Sequence, residues 1–157
     1  MPQLVKGGKH TFGWSLVGDG GRIAIPPEAL KEYRLTESEK LILVPGSKTS
    51  GGFGLGTLKS FEHSPLSGIL GKNPDSRKFR TPEGEIYEND GKPFSWVKLR
   101  GGTVIVPPET LKKFGIKTGD KLLVIRGSGL AVGFAVKGPI VEEAQRRPEL
   151  EVFKPIT

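Results

Sequence analysis

Six cations set the chemistry this chain could perform: Arg22, Lys31, Lys98, Arg100, Lys112 and Lys113. Arg22 and Arg100 flank the glycine pairs Gly20–Gly21 and Gly101–Gly102, where tight turns are expected. Lys31, Lys112 and Lys113 lie on short helical patterns, and Lys98 stands just ahead of the second turn. Such side chains suit a polyanion, because each can neutralise a phosphate and an arginine can also reach the acceptor edge of guanine. The same lysines equally fit ordinary solvated helix faces.

Catalysis finds little support. The only histidines, His10 and His63, lie in dissimilar contexts, and no nucleophile–base set, phosphate loop or metal constellation is evident. There is no cysteine, so disulfides and thiolate metal sites are excluded and a reducing cytoplasm is the simplest setting. The expectation is a non-enzyme without cofactor or metal. Trp14 and Trp96 could stack on bases, but at matched places near the start of a strand they read better as core.

The cations are positioned by an internal repeat. Residues 20–58 return without a gap as residues 101–139, so that Pro26–Pro27–Glu28 reappears as Pro107–Pro108–Glu109 and Gly52–Phe53 as Gly133–Phe134. A period this long means two copies of one supersecondary unit, expected to pack as a pseudo-symmetric pair. The reading gives repeat 1 over 8–58, an insert or linker over 59–90, repeat 2 over 91–139 and a tail over 140–157. Each copy is near the size at which a core of its own becomes marginal, so the copies are expected to share one.

Within each copy a strand through Trp14 or Trp96 leads into the glycine turn. An apolar β-branched strand follows, Arg22–Ile25 or Thr103–Val106. The double proline ends it and opens a short helix. Leu30 with Tyr33, and Leu111 with Phe114, stand at i, i+3 and predict one buried helix face. Gly115 fits a left-handed helix stop, a place taken by Arg34 in the first copy. A third strand is expected over Lys40–Val44 or Lys121–Ile125, then a hairpin and a fourth strand, glycine-rich in the first copy. The insert predicts a hairpin turning at Pro82–Glu83–Gly84 between Lys78–Phe79–Arg80 and Glu85–Ile86–Tyr87. The tail predicts a short helix through Glu142, Glu143 and Ala144 that breaks at Pro148. The acids shared by both copies, Glu28/Glu109 and Glu39/Asp120, suit a first helical turn and a strand-entry turn.

Charge is unevenly shared. Residues 8–58 carry 6 basic and 5 acidic groups, whereas residues 91–139 carry 9 basic and 2 acidic groups, a balance equal to the whole chain's +7. An excess held by one copy favours a polyanionic partner over a merely solubilising surface. No stretch approaches the roughly 20 apolar residues of a membrane span, so no membrane partner is expected.

The order strand, Gly21-Arg22-Ile23-Ala24-Ile25-Pro26, short helix, Gly115-Ile116-Lys117-Thr118-Gly119-Asp120-Lys121-Leu122, strand resembles the SpoVT/AbrB-type swapped-hairpin family. That family holds transition-state transcription regulators and MazE-type antitoxins. The resemblance covers roughly 100 residues, twice in register, and implies a mainly β fold with short helices. Specifically, it implies a swapped-hairpin barrel made by one chain as an intrachain pseudo-dimer, with further self-association possible. It also implies a DNA-binding transcriptional regulator, cytoplasmic and nucleoid-associated, that meets double-stranded DNA through Arg22, Lys31, Lys98, Arg100, Lys112 and Lys113. The chain departs from the family pattern in two respects: Thr103 stands where the motif has its arginine, and Leu30–Lys31 and Leu111–Lys112 each keep one residue of a basic pair.

The alternative is a protein-binding module. Antitoxin-type relatives occupy a toxin with an extended C-terminal segment, and the apolar anchors after Pro139 could serve such a toxin-like partner. A third reading, a barrel binding a small ligand or a protein without DNA, rests on the balanced charge of the first copy.

Overall fold

The computed structural model describes residues 10–37, 40–62, 82–89, 91–127 and 131–155. His63, Glu39, Lys78–Phe79–Arg80 and the hairpin residues Ser128–Gly129 therefore lie outside the described residues.

The first copy supplies β1 (Thr11–Leu16), β2 (Arg22–Ala24), α1 (Pro27–Glu32), β3 (Lys40–Pro45), β4 (Phe53–Thr57) and α2 (Leu58–Glu62). After β5 (Tyr87–Asn89) the second copy gives β6 (Lys92–Lys98), β7 (Thr103–Ile105), α3 (Pro108–Lys113), β8 (Lys121–Ile125), β9 (Val132–Ala135) and α4 (Pro139–Gln145). The chain then adds β10 (Val152–Phe153). Helices α2 and α4 begin at positions related by the same offset as the repeat, so the equivalence of the copies continues into both helices.

The fold is mainly β. Eight strands form one sheet in the order β10-β1-β8-β9-β4-β3-β6-β5, while β2 and β7 make a separate two-stranded ribbon. Strands of the two copies pair with each other. β1 pairs antiparallel with β8 of the other copy, Trp14 opposite Leu123, and β6 pairs in the equivalent way with β3, Trp96 opposite Ile42. Two further pairings join residues to their own repeat equivalents: Ile23 with Val104 in the ribbon, and Phe53 with Phe134 between β4 and β9. A pseudo-twofold axis must pass through both pairs.

The expected barrel does not close. The insert places β5 on the outer edge of β6, and the C-terminal segment places β10, parallel, on the outer edge of β1. Both edges of the sheet are thereby taken by segments lying outside the repeats, and the ribbon is paired only with itself.

Strand alternation builds a three-layer molecule. Leu41, Leu43, Leu122, Val124, Phe53 and Phe134 point to one side of the sheet. There they form a single cluster with Ile23 and Val104 of the ribbon, Ile25 and Val106 just after its strands, Ala29 of α1, Leu111 of α3 and Phe114 at the end of α3. This cluster draws on both copies and is the shared core. On the other side, α4 covers Trp14, Leu123, Ile125 and Ala135 with Val141 and Ala144, and α2 brings Phe61 onto Ile42 and Ala131. Both faces of β3 and β8 are covered, which is why Lys40–Val44 and Lys121–Ile125 read as near-continuous apolar runs. In β4, Gly54 lies where a Cβ would press on Val44 and Ala131 at 3.2 and 3.3 Å, so that part of its glycine content reflects close approach of neighbouring strands.

The helix faces are less even than the i, i+3 pattern predicts. Leu111 and Phe114 are buried, but Leu30 and Tyr33 are only partly buried against the same core. Gly115 takes φ +78 as expected of a left-handed helix stop, and Arg34 takes φ +52 in its place, the one described non-glycine residue with positive φ.

Candidate nucleic-acid interface

The six cations divide by what holds them. Arg22 opens β2 and its side chain is half-exposed. The turn before it needs glycine: Gly20 and Gly21 have φ +72 and +84, and a Cβ on Gly21 would run into the Val106 carbonyl oxygen. Each glycine turn is tied to the opposite copy, with Val106 N donating to Gly21 O and Ile25 N to Gly102 O, both at 2.9 Å. These crossed bonds fix the ribbon's register, so Arg22 faces Ile105 across it and Thr103 faces Ala24.

Lys31 on α1 and Lys112 and Lys113 on α3 are exposed, and no carboxylate pairs with them or with Arg22 or Lys98 among the described residues. Helix α3 packs against the turn Asp19–Gly21, and Leu30 of α1 lies 3.4 Å from where a Cβ on Gly102 would stand. Ribbon, turns and both helices thus share the side of the sheet away from α2 and α4. Arg22, Lys31, Lys112 and Lys113 all project from that layer, and Lys98 and Arg100 stand where β6 turns into it.

Arg100 is differently placed. Its Nη1 and Nη2 donate to Oε2 and Oε1 of Glu83, each at 3.0 Å, and Glu83 Oε2 also accepts from Lys98 N at 2.8 Å. The Arg100 hydrogen bonds, aided by the Lys98 amide, hold the Glu83 carboxyl below its ordinary pKa against a modest desolvation. The turn carrying Glu83 is itself fastened: Gly84 N donates to Trp96 O at 2.8 Å, Thr110 Oγ1 donates to Gly84 O, and Ser95 Oγ donates to Glu85 O at 2.9 Å. The insert therefore neutralises one of the six cations, a contact no local sequence signal foretold.

Arg126 shows the same chemistry away from the expected set. Its Nε donates to Glu32 Oε2 at 2.7 Å and its Nη2 to Oε1, joining the end of β8 to α1 across the copies. The Arg126 hydrogen bond is the main reason the Glu32 carboxyl lies below its ordinary pKa. The acids of the first helical turns, Glu28 and Glu109, are exposed and place like charge against any anion at those short helix starts.

Trp14 and Trp96 are buried, 7% and 6% exposed, with Lys40 Nζ lying 5.3 Å from the Trp96 ring centroid. They belong to the core and offer no open stacking platform. The C-terminal anchors are engaged too: Ile140, Val141, Leu150 and Val152 pack on the chain's own sheet around Trp14 and Leu123.

No family model matches the chain, and no curated protein or solved structure is matched by it. No described helix is long and apolar enough to cross a membrane.

Proposed function

We infer that this chain is a duplex-DNA-binding regulator of the swapped-hairpin AbrB-like type, in which one polypeptide does the work of a two-fold dimer. The observation that carries the reading is the self-pairing of Ile23 with Val104 on the pseudo-twofold axis. It brings the two copies of the glycine-turn segment together in one antiparallel ribbon, an element of the right width for a major groove. Around it Arg22, Lys31, Lys98, Lys112 and Lys113 form no salt bridge with a carboxylate among the described residues. A tail-mediated, toxin-like partner has less behind it, because the tail's apolar anchors are already packed on the chain's own sheet.

Fluorescence anisotropy of the intact protein with a labelled mixed-sequence duplex tests this. With about five phosphates neutralised, log K against log salt should fall with a slope of roughly −4 to −5. Replacing Lys112 and Lys113 together by Ala should flatten it by about two units. Replacing Lys98 and Arg100 together should flatten it by only about one, because Glu83 already balances Arg100. No binding at about 50 mM salt would reject the reading and leave a protein partner as the better account.

A further inference from the structure

The ribbon is two-fold in its backbone but not in its side chains. Under the repeat offset Arg22 corresponds to Thr103, and Ala24 to Ile105. Cross-strand pairing then gathers the two long side chains at one end, Arg22 beside Ile105, and the two short ones at the other, Ala24 beside Thr103. Directly opposed residues in an antiparallel pair project from the same face. The central pair, Ile23 and Val104, is wholly buried, so Arg22 and Ile105 project away from the core. Ile105, 38% exposed, is the one exposed large hydrophobic residue among those described. Arg22, which has no ion pair among the described residues, and Ile105 thus present a guanidinium beside an apolar β-branched group on the ribbon's outer face, a combination that suits a partner carrying both an acceptor edge and an apolar group.

The major groove offers that combination: guanine presents the O6 and N7 acceptors, and thymine presents its C5 methyl. We propose that the ribbon reads a non-palindromic duplex site, with Arg22 on a guanine and Ile105 on the methyl of a neighbouring thymine, while the Ala24–Thr103 end makes no comparable base contact. This rests on the DNA-binding reading and adds to it the polarity and the base identity of the site. Duplication within one chain is what permits it, because an identical dimer would place the same residues at both ends of its ribbon. The charges around the ribbon follow the same asymmetry. Lys113 of α3 corresponds to Glu32 of α1, which is occupied by Arg126.

The test begins with selection of bound sites from a randomised duplex pool by the intact protein at about 100 mM salt. The expected result is an enriched site with one half conserved around adjacent guanine and thymine and no inverted repeat. On that site, Arg22→Ala should cut discrimination against a guanine replacement by on the order of ten- to a hundredfold. Replacing the thymine by deoxyuridine, which removes only the methyl, should weaken wild-type binding by about fourfold and leave Ile105→Ala unaffected. The double substitution Ala24→Ile with Thr103→Arg should convert the selected site to a palindrome. A palindrome selected by the wild-type protein, or a thymine-to-deoxyuridine change without effect, would overturn the proposal while leaving DNA binding intact. Failure of the protein to retain any of the pool would overturn the DNA reading itself.

Discussion

Phe53 is where the two copies depend on each other most directly. Its side chain is 1% exposed, stacks on Phe134 with ring centroids 4.8 Å apart, and meets Phe114 at 5.8 Å in a tilted arrangement. Both partners belong to the other copy. Phe53→Ala therefore empties a site at the axis and should cost about 3–5 kcal/mol. Against a total stability of about 5–15 kcal/mol this is a large share. With a urea dependence of about 2 kcal/mol/M, the midpoint should fall by roughly 2 M. The chain supplies its own reporters, since Trp14 is buried in the β1–β8 half and Trp96 in the β3–β6 half. Single-tryptophan versions of wild type and variant would be unfolded in urea and followed by fluorescence. A shared core requires both reporters to move together, to the same lower midpoint. Two separated transitions, or a Trp96 signal unmoved by Phe53→Ala, would show that the halves unfold independently and that the common cluster does not hold them together.

Three further expectations concern backbone and charge. Gly21→Ala should destabilise far more than Gly20→Ala, because both have positive φ but only Gly21 faces a carbonyl, that of Val106; thermal melts of the two variants compare them. Arg34→Gly should raise stability by about 0.5–1 kcal/mol in a urea titration, relieving about 1–2 kcal/mol of left-handed strain against the added freedom of the unfolded chain. Glu83 and Glu32 have folded pKa values held below the ordinary one, so their contribution is present above the unfolded glutamate value near 4.3 and is lost as pH falls through the lower folded values. Glu83→Gln with Glu32→Gln should accordingly flatten the acid limb of a stability–pH profile and leave its slope near neutrality unchanged; an unaltered acid limb would mean that the two ion pairs contribute nothing.

Much of the architecture was legible because it is written twice. The repeat gave the element order in both copies, and the matched glycine pairs and double prolines marked where ribbon strands begin and helices start. The tryptophans read correctly as core because each is an aromatic near the start of a strand. The sequence was silent where contacts join segments that no local pattern relates. Glu83 reaches Arg100 across 17 residues from an insert absent from the first copy, and Arg126 reaches Glu32 across 94. Closure of the sheet failed as an expectation for the same reason, since β5 and β10 come from outside the repeat and occupy the edges. Tyr33 and Leu30 follow the helical period as faithfully as Phe114 and Leu111, yet they are only partly buried. Periodicity tells which face turns inward and says nothing of how deeply that face is covered. Ile105 would have stood out only to a reader who already knew the ribbon's register, because its neighbours Val104 and Val106 are buried and the run reads as uniformly apolar.

The central claim, that DNA lies against the ribbon–helix layer, is tested most directly by amide chemical-shift mapping of the intact protein as the selected duplex is added. The shifted amides should cluster at Arg22–Ala24, Thr103–Ile105, Lys31 and Lys112–Phe114, with the α2 and α4 side unchanged. Shifts confined to α4, β10 or α2, on the opposite side of the sheet, would contradict it.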